Sequence, residues 1–136
     1  MTNSNLKTAL FILRLTITVF FAVWAFEKFI KPETTVAIWA AFYHVDSLPL
    51  TASYAIGALQ SAVVLSFFLG VMKFWTYGLL MLMHGVGTIF TYERLFDPYT
   101  GSNHLFIAAI PVLGAMVALF LLREQDSLFT VGSNKR

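Results

Sequence analysis

Leu48–Met72 reads LPLTASYAIGALQSAVVLSFFLGVM, and none of these side chains carries a charge. About 20 apolar residues, rising 1.5 Å each in an α-helix, cross the hydrocarbon core of a bilayer. The run is therefore long enough to span a membrane, and its centre falls between Gly57 and Ser66. Once this stretch is read as a span, its neighbours follow. Thr8–Ile30 is apolar apart from Arg14, Glu27 and Lys28. Phe74–Tyr92 has His84 as its only ionisable group near mid-depth, and Asn103–Leu122 forms a fourth run. The totals agree. Of 136 residues, 58% are hydrophobic and 12% charged, about half the charge of an average soluble domain, and the mean hydropathy is +0.75.

Several chemistries fall away at once. With no cysteine, disulfides, thiolate catalysis, Fe–S clusters and zinc–thiolate sites are excluded. A formal charge of +2 on so apolar a chain gives no electrostatic footprint for nucleic acid. The first apolar run is too long for a signal-peptide core, has only Lys7 before it, and ends on Trp24, Phe26 and Phe29 rather than small residues; it is read as a retained helix.

The connections differ in kind. Pro32-Glu33-Thr34-Thr35 followed by Val36–Tyr43 predicts a short interfacial helix, with proline in its first turn and an aromatic stretch behind it. Gly70–Lys73 is so short that the helices on either side must form an antiparallel hairpin. Asp97-Pro98 and Thr100-Gly101-Ser102 are turn signals, and the polar tail from Arg123 onward is expected to fray. The fold is thus expected to be an all-α membrane protein, a four-transmembrane-helix bundle with a short interfacial helix between helices 1 and 2. The spans run from about 8 to 30, 50 to 70, 74 to 94 and 103 to 122, with the interfacial helix at about 33 to 44, in one membrane domain. Lys7, Lys73, Arg123, Lys135 and Arg136 lie on the side of the termini, against Lys28, Lys31 and Arg94 opposite. The positive-inside rule places both termini in the cytoplasm.

Ionisable groups inside a membrane are functional candidates by default. Arg14 shares a helix face with Thr18, Ala25 and Lys28. It either snorkels to cytoplasmic headgroups, or pairs inside the bundle or holds an anionic or carbonyl ligand. Gln60 shares a face with Ser53 and Gly57, where an amide bonds across helices. His84, on a stripe with Tyr77, Met81, Thr88 and Thr91, is either a packed, hydrogen-bonded residue or a proton- or quinone-handling group. Pro111 is expected to kink the last helix, with Ala108, Ala115 and Ala118 as its packing face. Glu27, Lys28, Asp46, Glu93, Arg94, Asn103 and His104, with His44 nearby, map to the outer rim. They form either a solvated loop face or the mouth of a pocket with Gln60 and His84 at its floor. Such a pocket suits a quinone, whose head needs hydrogen bonds and whose tail needs lipid. His84 and His104 differ too much in depth to clamp one haem, and no other metal-ligand spacing or catalytic pair is visible.

Ile12-Leu13-Arg14-Leu15 opening the first span, a phenylalanine-rich middle, Glu27-Lys28-Phe29 at its end, then Pro32 and an amphipathic segment resemble the DoxX-like family of four-helix bacterial membrane proteins. The resemblance covers the architecture of nearly the whole chain. Residue by residue it extends to Arg14 and Lys28, while Trp24-Ala25-Phe26-Glu27 stands where the family usually has a glycine. It implies a bacterial inner-membrane protein associated with quinone or redox chemistry. The expected function is that of a small accessory subunit of a quinone-linked redox complex, more a non-catalytic subunit than an enzyme, without a redox centre or covalent cofactor of its own. Its expected partners are the lipid bilayer and another membrane protein or redox-complex subunit. Its candidate ligand residues are Arg14, Lys28, Gln60, His84, Glu93, Arg94 and His104, and the candidate ligand is a bound quinone. A scaffold or assembly factor for another membrane protein is the main alternative, and a small-solute transporter the third.

Overall fold

The computed structural model describes residues 3–131, which form helices and no strand. The elements are α1 (Asn3–Ile30), α2 (Pro32–Tyr43), α3 (Leu50–Phe68), α4 (Lys73–Phe90), α5 (Tyr92–Phe96), a 3-10 segment (Asn103–Ala108) and α6 (Ala109–Leu121). Three helical stretches are long and apolar enough to cross a membrane: Asn3–Ile30, Leu50–Phe68 and Asn103–Leu121. The chain is built as a membrane protein. α4 is not among the three: its first turns carry Lys73, Trp75, Thr76 and Tyr77, and His84 follows, so its apolar content is diluted.

α1 packs along α3 and α4 along α6, and contacts of α3 with α4 and of α1 with α6 close the ring. Neighbours run antiparallel, since Ser53 at the start of α3 bonds the Lys28 carbonyl at the end of α1 (3.1 Å). The buried residues of α1 are Leu10, Arg14, Ile17, Phe21 and Ala25, and those of α3 are Ser53, Gly57, Gln60, Val64 and Phe67. Steps of three and four keep one stripe on one face, the pattern by which side chains of facing helices interlock. Tyr77 and Leu80 of α4 and Met116 and Leu119 of α6 complete the core. The outward faces stay apolar: Ile12, Val19, Val23, Leu59, Leu82 and Ile89 are all exposed. Water would not tolerate so large an apolar surface on a monomer, whereas lipid does, because the helices satisfy their own backbone groups.

Local chemistry sets the boundaries. Pro32 sits in the first turn of α2, where its missing N–H is no loss. His44, with φ 56°, turns the chain left-handed, and the Val45 N–H donates back to the Trp39 carbonyl (3.1 Å), a common helix-ending bond. α2 lies against α1 and α3, and its Tyr43 ring meets Phe90 at 4.9 Å. The α3–α4 link uses Gly70 at φ 66° and Met72 at φ 48°. α4 stops at Phe90, short of the expected 94, where Thr91 (φ −100°, ψ 17°) leaves helical geometry and Tyr92–Phe96 follows as a separate short helix. Pro111 sits in the first turn of α6, after the 3-10 segment, so it marks a junction rather than a mid-helix kink. Ala115 packs against the core while Ala108 is exposed. Met116 and Leu119, not an alanine stripe, are the buried face of α6.

The largest departure from the sequence expectation lies beyond α6. Residues 132–136, with Lys135 and Arg136, lie outside the described residues, but residues 123–131 do not project as a loose tail. They fold back under the bundle, where the Val131 N–H donates to the Leu69 carbonyl (2.8 Å) and Phe129 meets Phe11 at 5.0 Å.

At the α1–α3 crossing, a Cβ on Gly57 would lie 2.9 Å from the Lys28 Cβ and 3.1 Å from the Phe29 ring. Gly57→Val forces these helices apart. Overpacking of this kind costs about 1–3 kcal/mol, so the variant melts at a lower temperature in detergent, whereas a substitution at Gly114, which has open space around it, leaves melting nearly unchanged.

Candidate functional site

Two polar features stand out inside the bundle. The first is centred on Arg14, which is 0% exposed although it lies within an otherwise apolar helix. Its Nε is 3.4 Å from Asp126 Oδ2, also 0% exposed, and its Nη2 donates to the Leu128 carbonyl. The Tyr77 hydroxyl donates to the same Asp126 oxygen (2.7 Å), and Lys73 Nζ donates to the Asp126 carbonyl (2.5 Å). Arg14 therefore pairs inside the bundle, as one of its two sequence readings has it, and its partner comes from the segment expected to fray. The set is under-satisfied: Arg14 Nε and Nη1 and Asp126 Oδ1 are buried without a hydrogen-bond partner. Gly70 makes room for it, since a Cβ there would stand 2.8 Å from Arg14 Nη1.

An isolated buried guanidinium is strongly disfavoured, so the partner is obligatory rather than optional. Arg14 and the Tyr77 hydroxyl meet the Asp126 carboxylate, while Lys73 holds the Asp126 backbone carbonyl. Nothing in the arrangement resembles a nucleophile–base pair. Its chemistry is that of a lock, tying the middle of α1 to the start of α4 and the segment after α6.

The second feature is Gln60. It is 6% exposed, and no hydrogen bond to its side chain is formed among the described residues. It lines a groove of about 170 Å³ with Ile56, Leu59, Val63, Leu79 and Met83, between α3 and α4. The walls are otherwise apolar. A wider groove of about 450 Å³ continues the same seam toward the α3–α4 turn, sharing Val63 and Leu79. Both open sideways, toward the surroundings of the bundle.

The remaining candidates are scattered. His84 Nε2 lies 2.9 Å from the Ala109 carbonyl, and its ring meets Phe20 and Phe21 edge-on at 5.6 and 6.1 Å. That is a packed, hydrogen-bonded histidine joining α1, α4 and α6. Lys28 Nζ donates to the Trp24 carbonyl of its own helix (3.0 Å), at the C-terminal end of α1. Arg94 Nη1 donates to Asn103 Oδ1 (3.3 Å), and Asn103 in turn donates to the Asp97 carbonyl (2.9 Å); these bonds brace the loop between α5 and the 3-10 segment. Glu93 and His104 are exposed. None of Lys28, His84, Glu93, Arg94 or His104 lines either groove. The structure thus keeps Arg14, in the middle of α1, about four turns from Lys28 and sets Gln60 on a lateral seam. Among the described residues no group of three histidine or acidic side chains is placed to hold a metal ion.

Asp126 is the residue that sequence reasoning missed. The signal was present: Glu27, Glu33, Asp46, Glu93 and Asp97 all fall on the far side, leaving Glu124 and Asp126 as the only acids able to meet Arg14.

Comparison with known proteins adds no constraint: no family model, no curated protein and no solved structure matches the chain.

Removing one partner of a buried pair typically costs about 3–5 kcal/mol because the other charge is left uncompensated. Asp126→Ala is therefore expected to lower the melting temperature severely. The double variant Arg14→Met with Asp126→Leu should recover most of that loss, since it removes both charges together. Thermal unfolding in detergent reads both outcomes.

Proposed function

We propose that the chain is a small non-catalytic subunit of a quinone-linked redox complex in a bacterial inner membrane, crossing it four times with both termini in the cytoplasm. Four crossings need α4 to span as well, which its 18 residues allow by length (about 27 Å at 1.5 Å per residue). The orientation draws support from the excess of Lys and Arg on the side of the termini. It also draws support from the Arg14–Asp126 pair, which joins the first helix and the segment after the last at one end of the bundle.

The observation that carries the quinone reading is Gln60. A buried amide with free hydrogen-bonding capacity facing an apolar, laterally open groove is expensive unless something polar comes to it. In hydrocarbon, the visitor must itself be mostly apolar. A prenylated quinone meets both demands: a head-group carbonyl accepts from the Gln60 amide, and the tail remains in the bilayer. This moves the candidate pocket from the outer rim to the α3–α4 seam. His84, held by Ala109 and two phenylalanine rings, supports the bundle rather than the ligand. The resemblance to the DoxX-like family points the same way.

A scaffold that docks through Pro32–Tyr43 gains less support, because the aromatic rings of α2 are engaged within the chain: Phe42 meets Phe106 at 6.3 Å and Tyr43 meets Phe90 at 4.9 Å.

The test is purification in mild detergent from native membranes, followed by lipid extraction and identification of co-purifying proteins. The reading expects quinone in the extract and a redox protein in the eluate. Gln60→Leu should retain the fold and lose at least the energy of one hydrogen bond to the head group, about 0.5–1.5 kcal/mol, or a roughly two- to tenfold weaker quinone retention. Equal quinone retention by wild type and variant, or quinone absent from both, would sink it.

A further inference from the structure

The wider groove asks for a different occupant. Its walls include Val63 and Ser66 of α3, Phe74, Trp75 and Leu79 of α4, and Phe120 of α6. Hydroxyls are few, and one of them is already used: Thr76 Oγ1 donates to the Val71 carbonyl (2.9 Å). The interior therefore offers hydrocarbon contact and little else. At about 450 Å³ it falls in the size range of ligand sites, and its long, open shape along a helix seam suits a flexible chain.

What distinguishes this groove from an ordinary lipid-facing crease is its mouth. Phe74 and Phe120, two of the lining residues, stack beneath the Arg123 guanidinium, whose carbon lies 5.4 and 4.6 Å from their ring centroids. The cation is held there by Nη1, which donates to the Phe120 carbonyl (2.8 Å). Its Nε is buried without a hydrogen-bond partner. Glu124 pairs with Nε at 3.5 Å, but its side chain is 78% exposed, and a pair so open to solvent is weak and exchangeable for another anion. Lys73, the other cation at this end of α4, is engaged with Asp126. Trp75 lines the groove and is largely exposed, as an interfacial tryptophan would be.

We infer that this groove and Arg123 form a binding site for an anionic phospholipid, with one acyl chain along the α3–α4 seam and the phosphate against the Arg123 guanidinium. The argument is charge complementarity at a fixed place. A planar cation is pinned by two rings at the open end of an apolar trough, at the end of the bundle where basic side chains gather. Basic pockets beside membrane helices on the cytoplasmic side select anionic headgroups in this manner. The site adjoins the Gln60 groove without depending on it. The quinone head and the phospholipid chain are neighbours along one seam.

The experiment uses the full chain in detergent, titrated with phosphatidylglycerol or with phosphatidylcholine of the same acyl chains, and reads the melting temperature together with native mass spectrometry of retained lipid. Phosphatidylglycerol should raise the melting temperature and remain bound, and phosphatidylcholine should do so more weakly. Arg123→Gln should weaken phosphatidylglycerol retention roughly fivefold, the equivalent of about 1 kcal/mol for one basic side chain at an anionic surface, and remove the preference. Ser66→Leu, which fills the groove and leaves Arg123 in place, should reduce retention of both lipids. Gln60→Leu should leave lipid selectivity unchanged even if quinone binding is lost, so the two readings fail separately. Equal stabilisation of the wild type by both lipids, or an Arg123→Gln variant that keeps its preference, overturns the assignment.

Discussion

The structure depends on finding company for one guanidinium. Arg14 is surrounded by apolar helix, fully enclosed, and too far from water to be solvated in place. A charge in that position has to be neutralised within the protein. Asp126 does so, with Tyr77 and the Leu128 carbonyl, and Lys73 holds the Asp126 backbone. These partners come from two parts of the chain, α4 and the segment after α6. One electrostatic requirement thereby fixes where the last segment lies, how α4 begins and which end of the bundle is closed. The apolar core around it, from Leu10 to Leu119, needs only to be hydrophobic and well fitted. The pair needs particular atoms in particular places.

Much of this fold is legible from hydropathy because lipid simplifies the code. With hydrocarbon outside, the length of an apolar run sets the helix, and Pro32, Gly70 and Asp97-Pro98 punctuate it. The expected interfacial helix at about 33 to 44 corresponds to α2 at Pro32–Tyr43, since proline and the aromatic run are both local signals. Ser53, Gly57 and Gln60 share the buried face that their spacing predicts. What hydropathy hides is anything decided by one side chain. α4 breaks at Thr91 through its backbone angles, and no apolar count registers that. Pro111 reads as a kink from sequence, yet it lies in the first turn of α6, where proline is harmless.

The polar residues are harder still. Composition makes Asp126 one acid in a hydrophilic tail, and only a charge inventory by membrane side shows that Arg14 has nowhere else to turn. The outer-rim residues Glu93, Arg94 and His104 attract attention because they are charged and close in sequence. Their environment is a braced loop, with Arg94 and Asn103 bonded to each other. Gln60 looks ordinary in the sequence, an amide among small residues that suggests helix-to-helix bonding. Its interest comes from a partner that the fold does not supply. Periodicity places a side chain on a face but does not say whether that face meets another helix or an open seam.

The closing of the bundle by residues 123–131 also orders events during synthesis. Arg14 emerges with the first helix, and its counter-charge follows only after every other helix has been made. Until then the guanidinium, set in the middle of an apolar helix, has no Asp126 to pair with, and the bundle is complete only once the polar segment after α6 docks against it. A quality-control system that senses exposed intramembrane charge would find the unfinished protein conspicuous and the finished one silent.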